Sequence, residues 1–461
     1  MEKVKGRRAG IIGLARSGRA AARLIARNGG IPFVSDVRAA TELENEIMEL
    51  KRLNIGFETG AHTDRLLESD YIILSPGVPQ TIEIVQKLLD KGIPLFSEIE
   101  LASWFCEGRI VAVTGSNGKT TTTTLIDEIL KAAGMKVEVC GNIGEPFSDA
   151  VAKIPPDGIA VVEISSFQLE LIEEFAPHIA LILNLTPDHL DRYDGFDAYK
   201  SAKYRITENQ SSSDFLILNA DDGVIDKNNI ETGAQKKYFS LNRTLPAGVF
   251  KRGESLVGRV ANKETEIIKT SEIRIPGPHN LQNSAAASLA ALLLDVKEDT
   301  IARTLREFPG VEHRLEDAGT IAGIHFINDS KATNVDSVCY ALMSVATPVR
   351  LIAGGRDKGG DFRPIVRHGT NKIKSIVLIG EAREKMFDVL GKSFPVEFAD
   401  SMDEAVSKAY NSASPGETVL LSPACASFDM FDNFEHRGKV FKRAVSLLKN
   451  NNPTRKAANS K

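Results

Sequence analysis

Short runs of aliphatic and β-branched residues alternate along the chain with amphipathic stretches of roughly ten to sixteen residues, a period of two giving way to a period near 3.6. That rhythm belongs to βαβ units and parallel sheets, so the expected fold class is α/β. In a first block the pattern predicts strands at 9–13, 32–35 and 71–74 and helices starting at Ser17, Thr41 and Gln80, closing near Ser97. A second block opens with a strand at 109–114 and continues through strands at 159–164, 178–184 and 215–218. A glycine-punctuated β-rich insert at 236–275 and a helix after Pro278 complete it. The segment 308–316, FPGVEHRLE, reads as a linker into a third block with strands near 325–328, 350–353, 375–379 and 418–421. The divisions expected are 1–97, 98–310 and 311–448, followed by a basic, Asn-rich tail at 449–461 with almost no apolar surface to bury.

Composition narrows the classes of function. The 461 residues are 42% hydrophobic and 26% charged, and 57 basic against 61 acidic side chains leave a formal net charge of −4. That balance argues against nucleic acid or an anionic membrane as the main partner. Cys106, Cys140, Cys339 and Cys425 are scattered with no CxxC pair, which disfavours a zinc ribbon or disulfide framework and suits a reducing cytoplasm. The apolar run near the N-terminus is short and broken by Gly10 and Gly13, unlike a signal peptide. The run around 285–294 is far shorter than the ~20 residues of a membrane span.

The strongest local signal is RIVAVTGSNGKTTT from Arg109, an apolar strand running into a glycine loop and then a helix. This is the context of a phosphate loop. Gly115, Ser116, Asn117 and Gly118 turn backbone N–H groups inward, Lys119 reaches terminal phosphates, Thr120 offers a hydroxyl to Mg²⁺, and Thr121 follows in the helix. The first glycine of the longer form of the motif falls on Val113, so the loop is the shorter Gly115-x-x-Gly118-Lys119-Thr120. ATP is the expected nucleotide; a glycine turn that binds nothing is the plain alternative.

A second glycine loop, Gly13-Leu-Ala-Arg-Ser-Gly18, follows the first strand, and Asp36 ends the next one. It imitates a dinucleotide fingerprint, but Ala15 stands where a glycine would let the backbone touch a pyrophosphate. Asp36 is placed to accept from a ribose hydroxyl or a uracil amide, or serves only the turn. Glu163 ends the apolar run IAVVE at a carboxyl sheet edge, where ligands of open α/β sheets bind, and fits a second Mg²⁺ ligand. His189 lies just past another strand, beside Asp188 and Asp191. Lys203, in an amphipathic helical stretch, reads on its own as a solvated lysine. His279, Asn280 and Asn283 fall where a helix begins, for which simple capping suffices. Three polar loops, 328–334, 354–361 and 422–431, each follow a strand and together suggest a binding face.

Taken in order, TGSNGKTTT, EISSFQLE, NLTPDHLDRY, HNLQN, HR, NDSKATN, GGRDKGGDF and SPACASFDMF resemble the Mur ligases over nearly the whole chain, and within them the branch that adds D-glutamate. An Asp-Asn-Pro-Arg motif of the diaminopimelate-adding branch is missing from the third block. The resemblance implies three domains: a Rossmann-like N-terminal domain for a uridine nucleotide, a central P-loop ATPase domain, and a Rossmann-like C-terminal domain for the incoming amino acid. It implies an ATP-dependent ligase that joins D-glutamate to UDP-N-acetylmuramoyl-L-alanine through an acyl phosphate, acting as a cytoplasmic monomer. Lys119, Glu163, His189 and Lys203 correspond to the catalytic set, and Thr120, Glu163, His189 and a carbamylated Lys203 to the ligands of two Mg²⁺ ions. Asn283, Arg314 and Asp329 correspond to further nucleotide contacts. Arg16, Ser17, Asp36, Arg38, Ser75, Gly77 and Asn142 correspond to the UDP-substrate site, and Thr333, Lys358, Ser427 and Phe434 to the D-glutamate site. A folylpolyglutamate synthase of the same build and a non-ligating P-loop switch protein are the alternatives, with a dinucleotide oxidoreductase disfavoured by Ala15.

Overall fold

A computed structural model describes residues 2–188, 192–228, 230–260 and 263–451. Its strands form three sheets in chain order. The first comprises β1 (Arg8–Ile12), β2 (Ile31–Asp36), β3 (Gly56–Thr59), β4 (Tyr71–Leu74) and β5 (Leu95–Phe96), arranged 3-2-1-4-5 and parallel throughout. The order reverses at β1 and β4, and the loops after those strands share the crevice at which such sheets bind ligands.

The second sheet holds β6 (Arg109–Thr114), β7 (Val137–Gly141), β8 (Ile159–Glu163), β9 (Ile179–Ile182), β10 (Phe215–Asn219), β11 (Gln235–Ser240), β12 (Gly248–Arg252), β13 (Ser255–Val260) and β14 (Lys263–Lys269). Strands 6 to 11 are parallel, with β6 between β8 and β9, while β12 to β14 form an antiparallel extension, the expected β-rich insert. Val111, Ala112 and Val113 of β6 are wholly buried, as strands covered on both faces must be.

The third sheet has β15 (Glu316–Ile321), β16 (Ile324–Asn328), β17 (Val349–Gly354), β18 (Ile373–Ile379), β19 (Val396–Phe398) and β20 (Thr418–Leu421), in the order 15-16-20-17-18-19. Only β15 is antiparallel. Because β16, β20 and β17 are parallel neighbours, the three polar loops that follow them leave the same edge of the sheet.

Contacts divide the chain into two units. One comprises 1–185, 200–269 and 284–304, and the other 186–199, 270–283 and 305–461. The final helix, Phe434–Asn451, takes in the first three positions of the segment read from sequence as a tail, and 452–461 lie outside the described residues. Among the described residues no helix is long and apolar enough to cross a membrane.

Candidate functional site

The phosphate-loop segment forms the strand, loop and helix that its sequence predicts: β6, then residues 115–118, then the helix Lys119–Ala132. Gly118 precedes that helix at φ +85°, a conformation in which a β-carbon is strained. Lys119 Nζ donates to the carbonyls of Gly115 (2.9 Å) and Ser116 (3.0 Å), which curls the lysine over its own loop. Ser116, Asn117, Thr120 and Thr121 are buried. Asn184, which sequence reasoning quoted within a motif but gave no role, fixes the loop's shape. Its Oδ1 accepts from Asn117 N (2.8 Å), its Nδ2 donates to Asn117 O (2.9 Å), and its carbonyl accepts from Ser116 N (3.0 Å). The signal for it was position alone, the first polar residue after β9.

Glu163 closes β8 directly beside Val113 of β6, and is 1% exposed. One carboxylate oxygen accepts from Asn142 Nδ2 (2.7 Å), while the other is buried with no hydrogen-bond partner among the described residues. Since an unpaired carboxylate oxygen is costly to bury, a hard cation is the natural complement. Thr120 supplies a second oxygen donor at the helix start. Glu163 and Thr120 therefore fit a magnesium ion by donor chemistry. Lys203 lies in the helix Phe196–Tyr204 and is 1% exposed, which corrects its reading from the sequence as a solvated side chain. The helix turns that position toward the interior, which periodicity over a short mixed stretch did not reveal. His189 lies outside the described residues.

In the first sheet, Asp36 at the end of β2 is 5% exposed and fully engaged. It accepts from Leu14 N (2.7 Å), Arg38 N (2.9 Å), Arg38 Nε (3.0 Å) and Arg38 Nη2 (2.8 Å). Burial pushes its carboxyl up, but the Arg38 side chain and the two backbone donors outweigh it and hold the group at about 2. Asp36 thus organises the Gly13 loop and aims Arg38. Ser75 donates to Gly13 O (3.0 Å) from the loop after β4. A β-carbon on Gly18 would stand 1.9 Å from Gly13 O, so glycine is required where the helix Arg16–Arg27 begins. Arg16 and Gly77 are exposed, and Ser17 is half-buried. Arg16 donates to the carbonyl of Gly144, and Asn142 N donates to Glu163 O (2.8 Å).

The third sheet gathers a second set of groups. Asp329 is 1% exposed; it accepts from Ser422 Oγ (2.8 Å) and Leu315 N (3.2 Å) and faces Arg314 and Arg437. Burial raises its carboxyl to about 6 against the pull of those donors and charges. Asn283 donates to Asn280 Oδ1 (3.3 Å), and Asn280 to Pro276 O (2.8 Å). Arg437, which sequence reasoning missed, is wholly buried and ties two of the three loops together. It donates to Ser330 Oγ (3.0 Å), Ser330 O (2.8 Å), Cys425 O (3.1 Å) and Ala426 O (3.3 Å). Phe434 begins the last helix, its carbonyl accepting from Ser330 Oγ (2.8 Å) and its ring facing Lys331 Nζ at 4.6 Å. Ser427 is buried, its carbonyl accepting from Phe431 N (2.9 Å). Thr333 and Lys358 line a cavity of about 330 Å³ with Asp188, Asn334, Asp357 and Ala424. There Lys358 Nζ donates to Asp188 Oδ1 (3.1 Å) and Asn334 Nδ2 to Asp188 Oδ2 (3.2 Å).

All four cysteines are free. Cys140, Cys339 and Cys425 are buried, and burial raises Cys140 well above the usual thiol range and Cys339 and Cys425 to about 12. Burial raises Cys106 as well. Glu312, His313 and Glu316 stand close enough to share a cation, but the Lys442 ammonium already pairs with both glutamates at 2.6 and 2.7 Å, so the cluster anchors the last helix.

Comparison with known proteins gives the same outline. Residues 8–84 match the MurD N-terminal domain, 113–291 the Mur ligase middle domain and 313–425 the Mur ligase glutamate ligase domain. The chain is 42% identical to the UDP-N-acetylmuramoylalanine–D-glutamate ligase of Salinibacter ruber over 97% of its length and 99% of the relative's. It is 43% identical to the ligase of the same name from a Thermoanaerobacter species, over 97% and 100%. Among solved structures, the UDP-N-acetylmuramate-alanine ligase MurC of Thermotoga maritima superposes with a TM-score of 0.60 at 18% identity, covering 96% of this chain and 100% of that one. The MurF ligase of the same organism, in complex with ADP, gives 0.61 at 15% identity over 90% and 95%. These two establish likeness of fold.

Proposed function

The chain belongs to the Mur ligase family, and from that premise we propose that it joins D-glutamate to UDP-N-acetylmuramoylalanine with ATP, releasing ADP and phosphate, in peptidoglycan precursor synthesis. The observation that carries the reading is near-complete alignment with ligases of that name, with a phosphate loop whose lysine, hydroxyl and facing carboxylate suit a nucleoside triphosphate.

In this reading a carboxylate oxygen of the substrate's alanine bonds to the γ-phosphorus as the bond to ADP breaks. The amine of D-glutamate then bonds to the acyl carbon, phosphate leaves, and the nitrogen sheds a proton to solvent. No side chain acts as nucleophile, and the protein contributes position and charge. Lys119 and the N–H groups at the start of its helix neutralise phosphate oxygens. Thr120 and Glu163 would hold one Mg²⁺, and His189 with a carbamylated Lys203 a second. When bound, these ions offset the charge that gathers between carboxylate and triphosphate. Reaction of the Lys203 amine with CO2 would exchange an ammonium for an oxygen ligand, which suits both its burial and magnesium.

Arg314, Asp329 and Asn283 are assigned to the nucleotide. Arg16, Ser17, Asp36, Arg38, Ser75, Gly77 and Asn142 are assigned to the UDP substrate, Asp36 by holding Arg38 and the glycine loop. Thr333, Lys358, Ser427 and Phe434 receive D-glutamate, whose carboxylate competes with Asp188 for Lys358. Domains at 1–97, 98–310 and 311–448 and a monomer of 50.1 kDa complete the proposal, the latter checked by light scattering.

The deciding experiment measures phosphate release from ATP with UDP-N-acetylmuramoyl-L-alanine and D-glutamate, L-glutamate, diaminopimelate or no amino acid, identifying the product by mass. Release with D-glutamate alone and a product heavier by one glutamyl unit is expected. Release with another amino acid moves the protein to a sister ligase, and ATP binding without release in any mixture withdraws the ligase reading.

A further inference from the structure

Beyond β2 and β3 lies a polar chain that the assignments above do not use. Ser35, wholly buried at the penultimate position of β2, pairs in register with Glu58 of β3, and its side chain meets both Glu58 and His62, from the loop that follows β3. Ser35 Oγ lies 2.6 Å from Glu58 Oε1 and 2.7 Å from His62 Nδ1. Glu58 also accepts from Thr63 N (2.9 Å) and Thr63 Oγ1 (2.6 Å). This is not a nucleophile relay, because the carboxylate binds the serine and not the histidine, and the serine is sealed in.

What the chain does is fix a tautomer. Burial pushes the Glu58 carboxyl up, but the Ser35 and Thr63 donors outweigh it and keep it below its ordinary value, so it is ionised and accepts only. The single Ser35 proton therefore goes to Glu58, and His62 Nδ1 must be the N–H that donates to Ser35 Oγ. Burial also lowers the His62 pKa against the opposing pull of Glu58 and Asp36, which favours the neutral ring. Nε2 is then a bare acceptor, and among the described residues no protein hydrogen bond is drawn to it. The same serine's carbonyl accepts from Gly13 N (2.9 Å), and Gly60 N donates to the carbonyls of Asp36 (3.0 Å) and Arg38 (2.9 Å). His62 is thereby built into the same sheet edge as the glycine loop and Arg38.

We propose that His62 is a further specificity contact of the UDP-substrate site, its Nε2 accepting a hydrogen bond from a nucleoside donor, the uracil imide N–H or a ribose hydroxyl. The proposal rests on the uridine-nucleotide reading above. A bare imidazole nitrogen has nothing to offer a diphosphate, which only accepts, so it selects the nucleoside end. Arg38, held by Asp36, carries the positive charge instead.

The test titrates UDP into the full-length protein and into His62→Leu and His62→Gln variants by calorimetry, with ADP affinity as the check that each variant is folded. Wild type is expected to bind, the leucine variant about tenfold more weakly, and the glutamine variant, which restores an acceptor, within about threefold of wild type. Nitrogen-15 spectra of wild type should show the His62 proton on Nδ1 and a shift of Nε2 on adding UDP. Failure of wild type to bind UDP withdraws the site reading and this proposal together. Binding by wild type with equal affinity in the leucine variant, a glutamine variant as weak as leucine, or a proton found on Nε2 overturns the proposal alone.

Discussion

At the residue scale, the side chains that departed from expectation are those whose environment is set by distant parts of the chain. Lys203 carries no mark in its local sequence of being buried, and beside the local Arg38 donors Asp36 takes one from Leu14 N, on the loop after β1, which its own sequence does not announce. Glu98 shows the same thing away from the proposed chemistry. It is 1% exposed, accepts from Ser148 N, and has one oxygen with no partner among the described residues, and burial raises its carboxyl to about 7. An acid whose folded pKa lies above the unfolded value of 4.5 adds no penalty below pH 4.5. Its penalty grows as pH rises through that window and is complete above about 7, reaching a ceiling of ~3 kcal/mol. Glu98→Gln, neutral at all pH values, is therefore expected to melt higher than wild type at pH 8, with the gain fading toward pH 5. A difference that does not vary with pH would contradict this account.

At the scale of elements, the central strands and the phosphate loop were legible because each is a contiguous pattern. The strand β6 and the helix Lys119–Ala132 fall where the apolar run and the glycine loop place them, and β4 and β20 coincide with their predicted spans. The strands that escaped prediction, among them β3, β5 and β19, are short and partly exposed. They lack both the alternation and the apolar density that mark a buried strand. Asn184 and Arg437 escaped for a related reason. Each holds loops formed by residues far away in sequence, and neither type nor spacing announces a clamp. Asn184→Ala removes two side-chain bonds to Asn117 while keeping the backbone bond to Ser116. The expected result is a KM for ATP raised about tenfold, with the melting free energy lowered by about 1 kcal/mol. Steady-state kinetics with a matched thermal melt will show whether the loss falls on nucleotide binding, as a positioning role requires, or on stability alone.

For the whole molecule, the rhythm of strands and helices foretold three α/β blocks, and three sheets stand in that order. Each of the two units is built on its own buried apolar residues, those around Ile12, Ile72 and Leu88 in one and those around Leu351, Ile376 and Leu420 in the other. Heat unfolding is therefore expected to resolve into more than one calorimetric transition, with UDP raising the transition of the unit that contains the first sheet. A single transition moved as a whole by UDP would show the units to be cooperative. The placement of the cysteines bears on covalent chemistry. With three of the four thiols buried and all four raised above their normal pKa, electrophiles meet almost no thiolate in the native protein, Cys425 included, although its loop belongs to the proposed binding face. A maleimide should thus label the native enzyme slowly and the denatured chain at once. Warheads aimed at this loop would find no partner, while the rate of alkylation at Cys140, Cys339 and Cys425 would serve as a clock for the opening of the elements that cover them.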